Sequence, residues 1–314
     1  MKYIKDLHEG ERICEVYLCK SKISAVTKNG KPYDSITLMD KTGSLDGKIW
    51  EPHSMGIDDF EVLDYIEVTG EVSVFKEALQ LSVKRVRKIS EEEVDKENYF
   101  PVSPYNIEAM YEKLLSYIDT IENPYLSKLL NLFFREDEAF VKKFKKSSAA
   151  KSVHHGFIGG LLQHTLSVVE LCNYYCKAYE KLNRDLLLTA AMCHDIGKIK
   201  ELSLFPANDY TDDGQFLGHI VMGSEMIGEK IKLIENFPVI LEGELKHCIL
   251  AHHGEFEFGS PKKPAIMEAV ALNFADNTDA KMETFTELLD ATNDNGWLGF
   301  NRLFESNVKA TLME

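Results

Sequence analysis

The sequence predicts a small antiparallel β-barrel followed by an all-helical domain, and three observations lead there. Residues 11–89 alternate apolar and polar positions in short runs broken by Asn-Gly and Thr-Gly turns. From Tyr105 onward apolar side chains recur at helical spacing instead. Between the two, residues 90–104, SEEEVDKENYFPVSP, are acidic and proline-punctuated, the composition of a linker. The expected domains are therefore a barrel over 1–90, a linker over 91–104 and a helical domain over 105–314. A chain of 314 residues with 44% hydrophobic content can supply a core to each.

Within the barrel the strands are EVYLCKSKISAVT, YDSITLMD, SLDGKIW, YIEVTGEVSVF and ALQLSVKRVRKI. The first two are joined through Lys28-Asn29-Gly30-Lys31-Pro32, and the next pair through Lys41-Thr42-Gly43. Five strands suit a closed barrel. A long first strand, a D-x-T-G turn and a late hairpin resemble an oligonucleotide-binding (OB) fold. Such barrels hold single strands with aromatic and basic side chains, for which Tyr33, Lys48, Trp50, Phe75, Lys84 and Arg85 are candidates. Trp50 fits a core position equally well, and the run Lys84 to Lys88 fits a solvated strand edge.

The helical domain is expected to open with Ser103 as N-cap and Pro104 at the first helical position. Ile107, Tyr111, Leu114, Leu115 and Ile118 then carry the helical repeat as far as Asn123-Pro124. Lys142, Lys143, Lys145 and Lys146 form a basic turn, a solvated face within reach of a phosphate backbone. Further on, His164 shares a stripe with Leu161, Val168 and Leu171, His194 lies beneath Leu187, Ala190 and Ala191, and Asp276 lies beneath Ala269 and Leu272. All three polar side chains therefore point inward. Buried imidazoles and carboxylates are costly unless paired or metal-bound, so several converging from different helices predict an ion among them.

Charge and cysteine usage narrow the class. The net charge of -15 divides into about -1 for residues 1–90 and -14 for the rest. An acidic half can still handle phosphates where bound cations invert the local charge. The six cysteines contain no C-x-x-C pair and are expected to be reduced. No run approaches the ~18 apolar residues of a membrane span, and MKYIKDLHEGERI lacks a signal peptide's apolar stretch, so a cytoplasmic location without membrane contact is expected. A homo-oligomer is compatible with the sequence.

Eight of the ten histidines fall between His154 and His253, and the order is His164, His194-Asp195, His219, His252-His253, Asp276. This pattern resembles the HD superfamily of metal-dependent phosphohydrolases, an all-helical fold. The resemblance implies one divalent metal on His164, His194, Asp195 and Asp276. Asp195 would bridge to a second on His219, His252 and His253. Imidazole and carboxylate donors suit Mn²⁺ best, with Fe²⁺, Co²⁺ or Zn²⁺ as the other candidates. His154, His155 and His247 are expected behind the ligands or in structural roles. Lys198, one turn after Asp195, would meet a phosphate oxygen, or else stand as a surface lysine near a helix end.

The segments GGLLQHTLSVVE, HDIGKIKEL, GHIVMG and HHGEFEFGSPKKPAIMEAVAL, behind an OB-like barrel, are similar to the YhaM-type 3′-to-5′ exoribonucleases over nearly the whole chain. That similarity implies hydrolysis of single-stranded RNA, and to some extent DNA, to nucleoside 5′-monophosphates. Lys262, Lys263 and Glu257 become candidate contacts to the strand. A phosphohydrolase acting on a small nucleotide is the alternative within the same chemistry, although the absence of a Gly-Tyr-Pro motif after the HD pair weighs against its cyclic-dinucleotide branch. A nucleic-acid-binding regulator with a structural metal is the non-enzymatic alternative.

Overall fold

The computed structural model describes residues 1–27, 29–76, 78–151, 155–290 and 296–311. Lys28 of the first predicted turn and His154 thus lie outside the described residues. The chain divides into two compact units, Met1–Pro101 and Val102–Glu314.

The first unit is built on β1 (Arg12–Val26), β2 (Pro32–Asp40), β3 (Gly43–Ile49), β4 (Tyr65–Phe75) and β5 (Ala78–Ile89). They close in the order β1-β2-β3-β5-β4, with β1 antiparallel to β4 and β3 parallel to β5. This is the OB arrangement. Alternation sets the inner face: along β2, Asp34, Ile36, Leu38 and Asp40 are buried in turn. The two carboxylates on that face are satisfied locally, Asp34 by the Ser24 hydroxyl at 2.6 Å and Asp40 by the Ile4 amide at 2.6 Å. After β5 come two 3₁₀ turns, Glu91–Glu93 and Lys96–Asn98, and then Tyr99, buried with its ring centroid 4.8 Å from that of Tyr65 in an edge-on arrangement.

The second unit comprises α1 (Ile107–Ile118), α2 (Pro124–Phe134), α3 (Glu138–Phe144), α4 (Gly160–Ala178), α5 (Arg184–Cys193), α6 (Lys198–Glu201), α7 (Asp212–Ile231), α8 (Val239–Ala251) and α9 (Met267–Asp290). Every residue of α5 from Leu186 to Cys193 is buried. A helix apolar on all sides must sit at the centre, and one core cluster accordingly joins α5 to side chains of α1, α2, α4, α8 and α9.

Two local expectations need correction. The first helix begins at Ile107, three residues later than expected, because Asn106 is the residue whose side chain accepts from the Ala109 amide. Ser103 is engaged elsewhere: its hydroxyl donates to Gln163 at 2.7 Å, and its amide pairs with Ile158. The C-terminal stretch is also not wholly helical. Residues Trp297–Asn301 (β6) and Ser306–Lys309 (β7) form an antiparallel hairpin with a register shift at Gly299.

Candidate metal centre

Two helix ends and residues from within three further helices bring the site together. The central helix α5 stops at Cys193, leaving His194 as its C-cap, and Asp195 follows in the turn to α6. His252 is the C-cap of α8. Both histidines use the same device: their Nδ1 donates to a carbonyl three residues back, Ala191 at 2.8 Å and Ile249 at 2.7 Å. Carbonyls orphaned by the helix end are thereby satisfied, and each imidazole is locked with Nε2 facing inward. His164 comes from α4, and Asp276 and Asp279 from α9.

Two glycines let α6 and α7 approach. A Cβ at Gly197 would stand 2.0 Å from the His219 carbonyl oxygen, so only glycine fits beneath the bend of α7. That bend lies at Gly218, whose φ of 72° and ψ of 158° belong to a region open to glycine almost alone. The kink turns His219 toward Asp195.

All five ligand-type histidines are anchored in one sense. Nδ1 of His164 faces Asp279 Oδ2 at 2.6 Å, Nδ1 of His219 faces Glu201 Oε1 at 3.0 Å, and Nδ1 of His253 faces the Phe258 carbonyl at 2.8 Å. A carbonyl or carboxylate oxygen can only accept, so each Nδ1 must carry the proton. In the neutral ring each Nε2 is then a lone pair. Several of these Nε2 atoms converge on one another and on carboxylate oxygens. His164 Nε2 lies 3.1 Å from His194 Nε2, 3.4 Å from Asp195 Oδ2 and 3.2 Å from Asp276 Oδ1. On the other side Asp195 Oδ1 lies 3.4 Å from His219 Nε2 and 3.7 Å from His252 Nε2.

The two oxygens of Asp195 thus face different groups. His164, His194 and Asp276 form one set of possible metal donors, and His219, His252 and His253 another. Donors bound side by side at about 2.1 Å from a cation are themselves about 3.0–3.4 Å apart, which is close to these separations. Asp195 Oδ1, His219 Nε2 and His252 Nε2 are buried without a hydrogen-bond partner among the described residues. Acceptors crowded against acceptors cost about 1–3 kcal/mol each unless something positive lies among them. The donor set fits divalent cations.

Electrostatics point the same way. Burial alone would raise the Asp195 carboxyl, but Lys198 and His194 outweigh it and hold the group well below the usual carboxylate range. Burial likewise disfavours charge on Asp276, and His164 reverses that. Lys198 places Nζ 2.7 Å from Asp195 Oδ2. It also lines a cavity of about 1000 Å³ shared with His164, His253 and Asp276.

The remaining predicted residues fall in three places. Lys263 pairs with Glu255 at the cavity rim, while Lys262 and Glu257 are exposed on the same loop and are not among the cavity's lining residues. In the barrel unit Trp50 is half exposed, its ring centroid 5.4 Å from that of Tyr33, and Lys48 Nζ lies 5.6 Å above Tyr33. Phe75 is exposed too, but Phe75 pairs with Ala78 whereas Lys48 pairs with Ser82, about 13 Å further along β5. Of the basic run, Arg87 and Lys88 are engaged by Glu67 and Asp64. His247 Nε2 accepts from the Ala265 amide at 2.9 Å, and His155 Nε2 lies 2.8 Å from Asp279.

Two residues of this centre escaped sequence reasoning, Glu201 and Asp279. Each backs a histidine far away in the chain, at no fixed spacing. Glu201 is the lone acid of the four-residue α6, and Asp279 is one of several acids along α9, so no local signal set either apart.

Comparison with known proteins agrees with this geometry. The HD domain model matches residues 161–281, which hold all seven of these histidines and aspartates. The second OB-fold domain of replication protein A from Methanococcus maripaludis overlaps 30% of this chain and 98% of its own, at 26% identity and a TM-score of 0.22. A replication protein A heterotrimer bound to ssDNA overlaps 28% of this chain and 64% of its own, at 16% identity and the same TM-score. Neither overlap adds to the strand order already described. The 3′-5′ exoribonuclease YhaM of Bacillus subtilis (strain 168) is 33% identical over 288 residues, 90% of either chain. The protein of that name from Geobacillus sp. (strain WCH70) is 34% identical over 286 residues, 90% of this chain and 86% of its own. An alignment of that length extends into both the barrel and the helical unit, and the chain belongs to the family of the YhaM 3′-5′ exoribonucleases.

Proposed function

We propose that the protein is a 3′-to-5′ exoribonuclease that releases nucleoside 5′-monophosphates from single-stranded RNA, and to a lesser extent from single-stranded DNA. The observation that carries this reading is the meeting of two histidine groups on the two oxygens of Asp195, within a member of an exoribonuclease family. His164, His194, Asp195 and Asp276 would hold one cation, and His219, His252 and His253 a second beyond the shared Asp195. Donors limited to imidazole nitrogen and carboxylate oxygen accept Mn²⁺, Fe²⁺, Co²⁺ or Zn²⁺, and Mn²⁺ is the cation we assign. Such a pair of cations, when bound, supplies Lewis acidity at phosphorus and a water of lowered pKa near neutral pH.

The protein's own groups do the rest. The five anchored imidazoles keep their Nε2 atoms fixed, so no reorganisation is needed as charge develops. Lys198, held against Asp195, keeps a cation at the cavity wall where a non-bridging phosphate oxygen would arrive. Burial keeps His252 and His253 neutral, the form in which they can donate a lone pair. Lys262, Lys263 and Glu257 flank the entrance to the strand's end. In the barrel unit Tyr33, Trp50 and Lys48 offer the aromatic and basic surface on which single strands are held, with Phe75 a separate contact.

Purified protein with Mn²⁺ should shorten a 5′-labelled oligoribonucleotide stepwise from its 3′ end and yield nucleoside 5′-monophosphates. Asp195→Ala, which removes the atom pair common to both groups, should abolish this. Degradation by that variant at the wild-type rate would refute the assignment.

A further inference from the structure

The cavity at the metal centre has walls that the ligand set does not account for. Beside His164, His253 and Asp276 it is lined by Phe258, Phe274, Lys281 and Arg302. The two phenylalanines are 70% and 57% exposed, large rings left to solvent at the mouth of a charged site. Scattered exposed apolar residues are ordinary on a surface, but exposed rings in one cavity with Lys281 and Arg302, beyond the Lys198 already at the centre, are a combination with a chemical meaning. Phe304 and Glu305 complete that side of the wall.

Both rings are tied to the metal-facing residues. The Phe258 carbonyl accepts the Nδ1–H of His253 at 2.8 Å, so the loop carrying this ring is fixed to a candidate ligand. Phe274 stands two residues before Asp276 on α9, and Phe274, Asn277 and Lys281 follow one another at i, i+3 and i+7. They make a single stripe, aromatic next to the centre and cationic away from it. Arg302 reaches the same cavity from the turn between β6 and β7. At the rim Glu255 is also present, paired with Lys263.

We infer that Phe258 and Phe274 are stacking surfaces for the terminal bases of an RNA 3′ end, with Lys281 and Arg302 meeting phosphates upstream of the cleaved bond. This rests on the exoribonuclease reading above. A π face accepts any of the four bases, so such walls bind without regard to sequence. They also need bases whose faces are free, which a 3′ end inside a duplex does not present. The centre thereby selects single strands at the point of cleavage, independently of what the barrel unit binds.

The test uses the full-length protein with Mn²⁺ and two 5′-labelled oligoribonucleotides, one ordinary and one whose last two nucleotides lack bases. Wild-type protein should show a KM higher for the base-less end by about 5- to 150-fold per lost stack, with a smaller change in kcat. Phe258→Leu and Phe274→Leu should raise KM on the ordinary strand by similar factors and converge with wild type on the base-less one. Metal content per chain accompanies each assay, and the wild-type comparison decides alone should a variant lose its metal. Equal KM values of the wild-type protein for both strands would overturn the stacking role while leaving exonuclease activity intact. Failure of wild-type protein to shorten either strand would remove the parent reading and this inference with it.

Discussion

Glu201 stands behind His219, and Asp279 stands behind His164 with His155 on the same oxygen, so the two acids serve different histidine groups. A carboxylate behind an imidazole makes Nε2 more basic and fixes its direction, and losing such a partner commonly weakens metal binding 10- to 100-fold. Asp279→Asn and Glu201→Gln are expected to lower affinity by about that factor, and by competition with a chelator the first should release metal from the His164 group and the second from the His219 group. The same residues set a pH dependence. In the metal-free protein burial disfavours a charged His164, but Asp195, Asp276 and Asp279 outweigh it and raise its pKa well above the ordinary value. Its second proton then sits on Nε2, where a cation must bind. Metal uptake is therefore expected to release protons and to strengthen as pH rises, because less of His164 is protonated; titration calorimetry in buffers of different ionisation enthalpy measures both. Uptake independent of pH would mean that His164 is not a ligand.

Elements place these residues, and much of that placement was legible beforehand. The five strands were readable because a half-buried strand must alternate and its turns need Asn-Gly or Thr-Gly. His164, His194 and Asp276 were predicted to point inward from the stripes of their own helices, and all three do so. What stayed hidden depends on contacts between elements. Nothing in GHIVMG announces that Gly218 bends α7, or that Gly197 is a glycine because the His219 carbonyl lies against it. The hairpin of β6 and β7 was missed because each strand is short and mostly exposed, with little alternation to detect. These close approaches predict that Gly197→Ala pushes α6 and α7 apart, at a cost of about 1–3 kcal/mol or more in stability. Thermal unfolding should show the loss, and bound metal should fall because His219 moves away from Asp195. A variant with wild-type Tm and metal content would mean that the contact relaxes without disturbing the site.

At the scale of the whole chain, the charges and aromatics are divided unevenly between the two units. Residues 1–90 are close to neutral, whereas the remainder carries about -14, so an RNA strand meets least repulsion at the barrel unit. That unit also holds the Tyr33–Trp50 pair with Lys48 above it, a surface on which stacking is worth about 1–3 kcal/mol per base. Each unit has its own apolar core, which supports separate folding. The helical unit alone, residues 102–314, should therefore still bind metal and hydrolyse a small diester such as bis(p-nitrophenyl) phosphate. Its KM for a long single strand should rise about tenfold or more, since one or two stacked bases and a cation are lost. Trp50→Ala in the full chain should reproduce part of that rise without touching hydrolysis of the small diester. A helical unit that degrades long RNA with an unchanged KM would show that the barrel does not hold the strand, and the aromatic pair of Tyr33 on β2 and Trp50 just after β3 would need another partner.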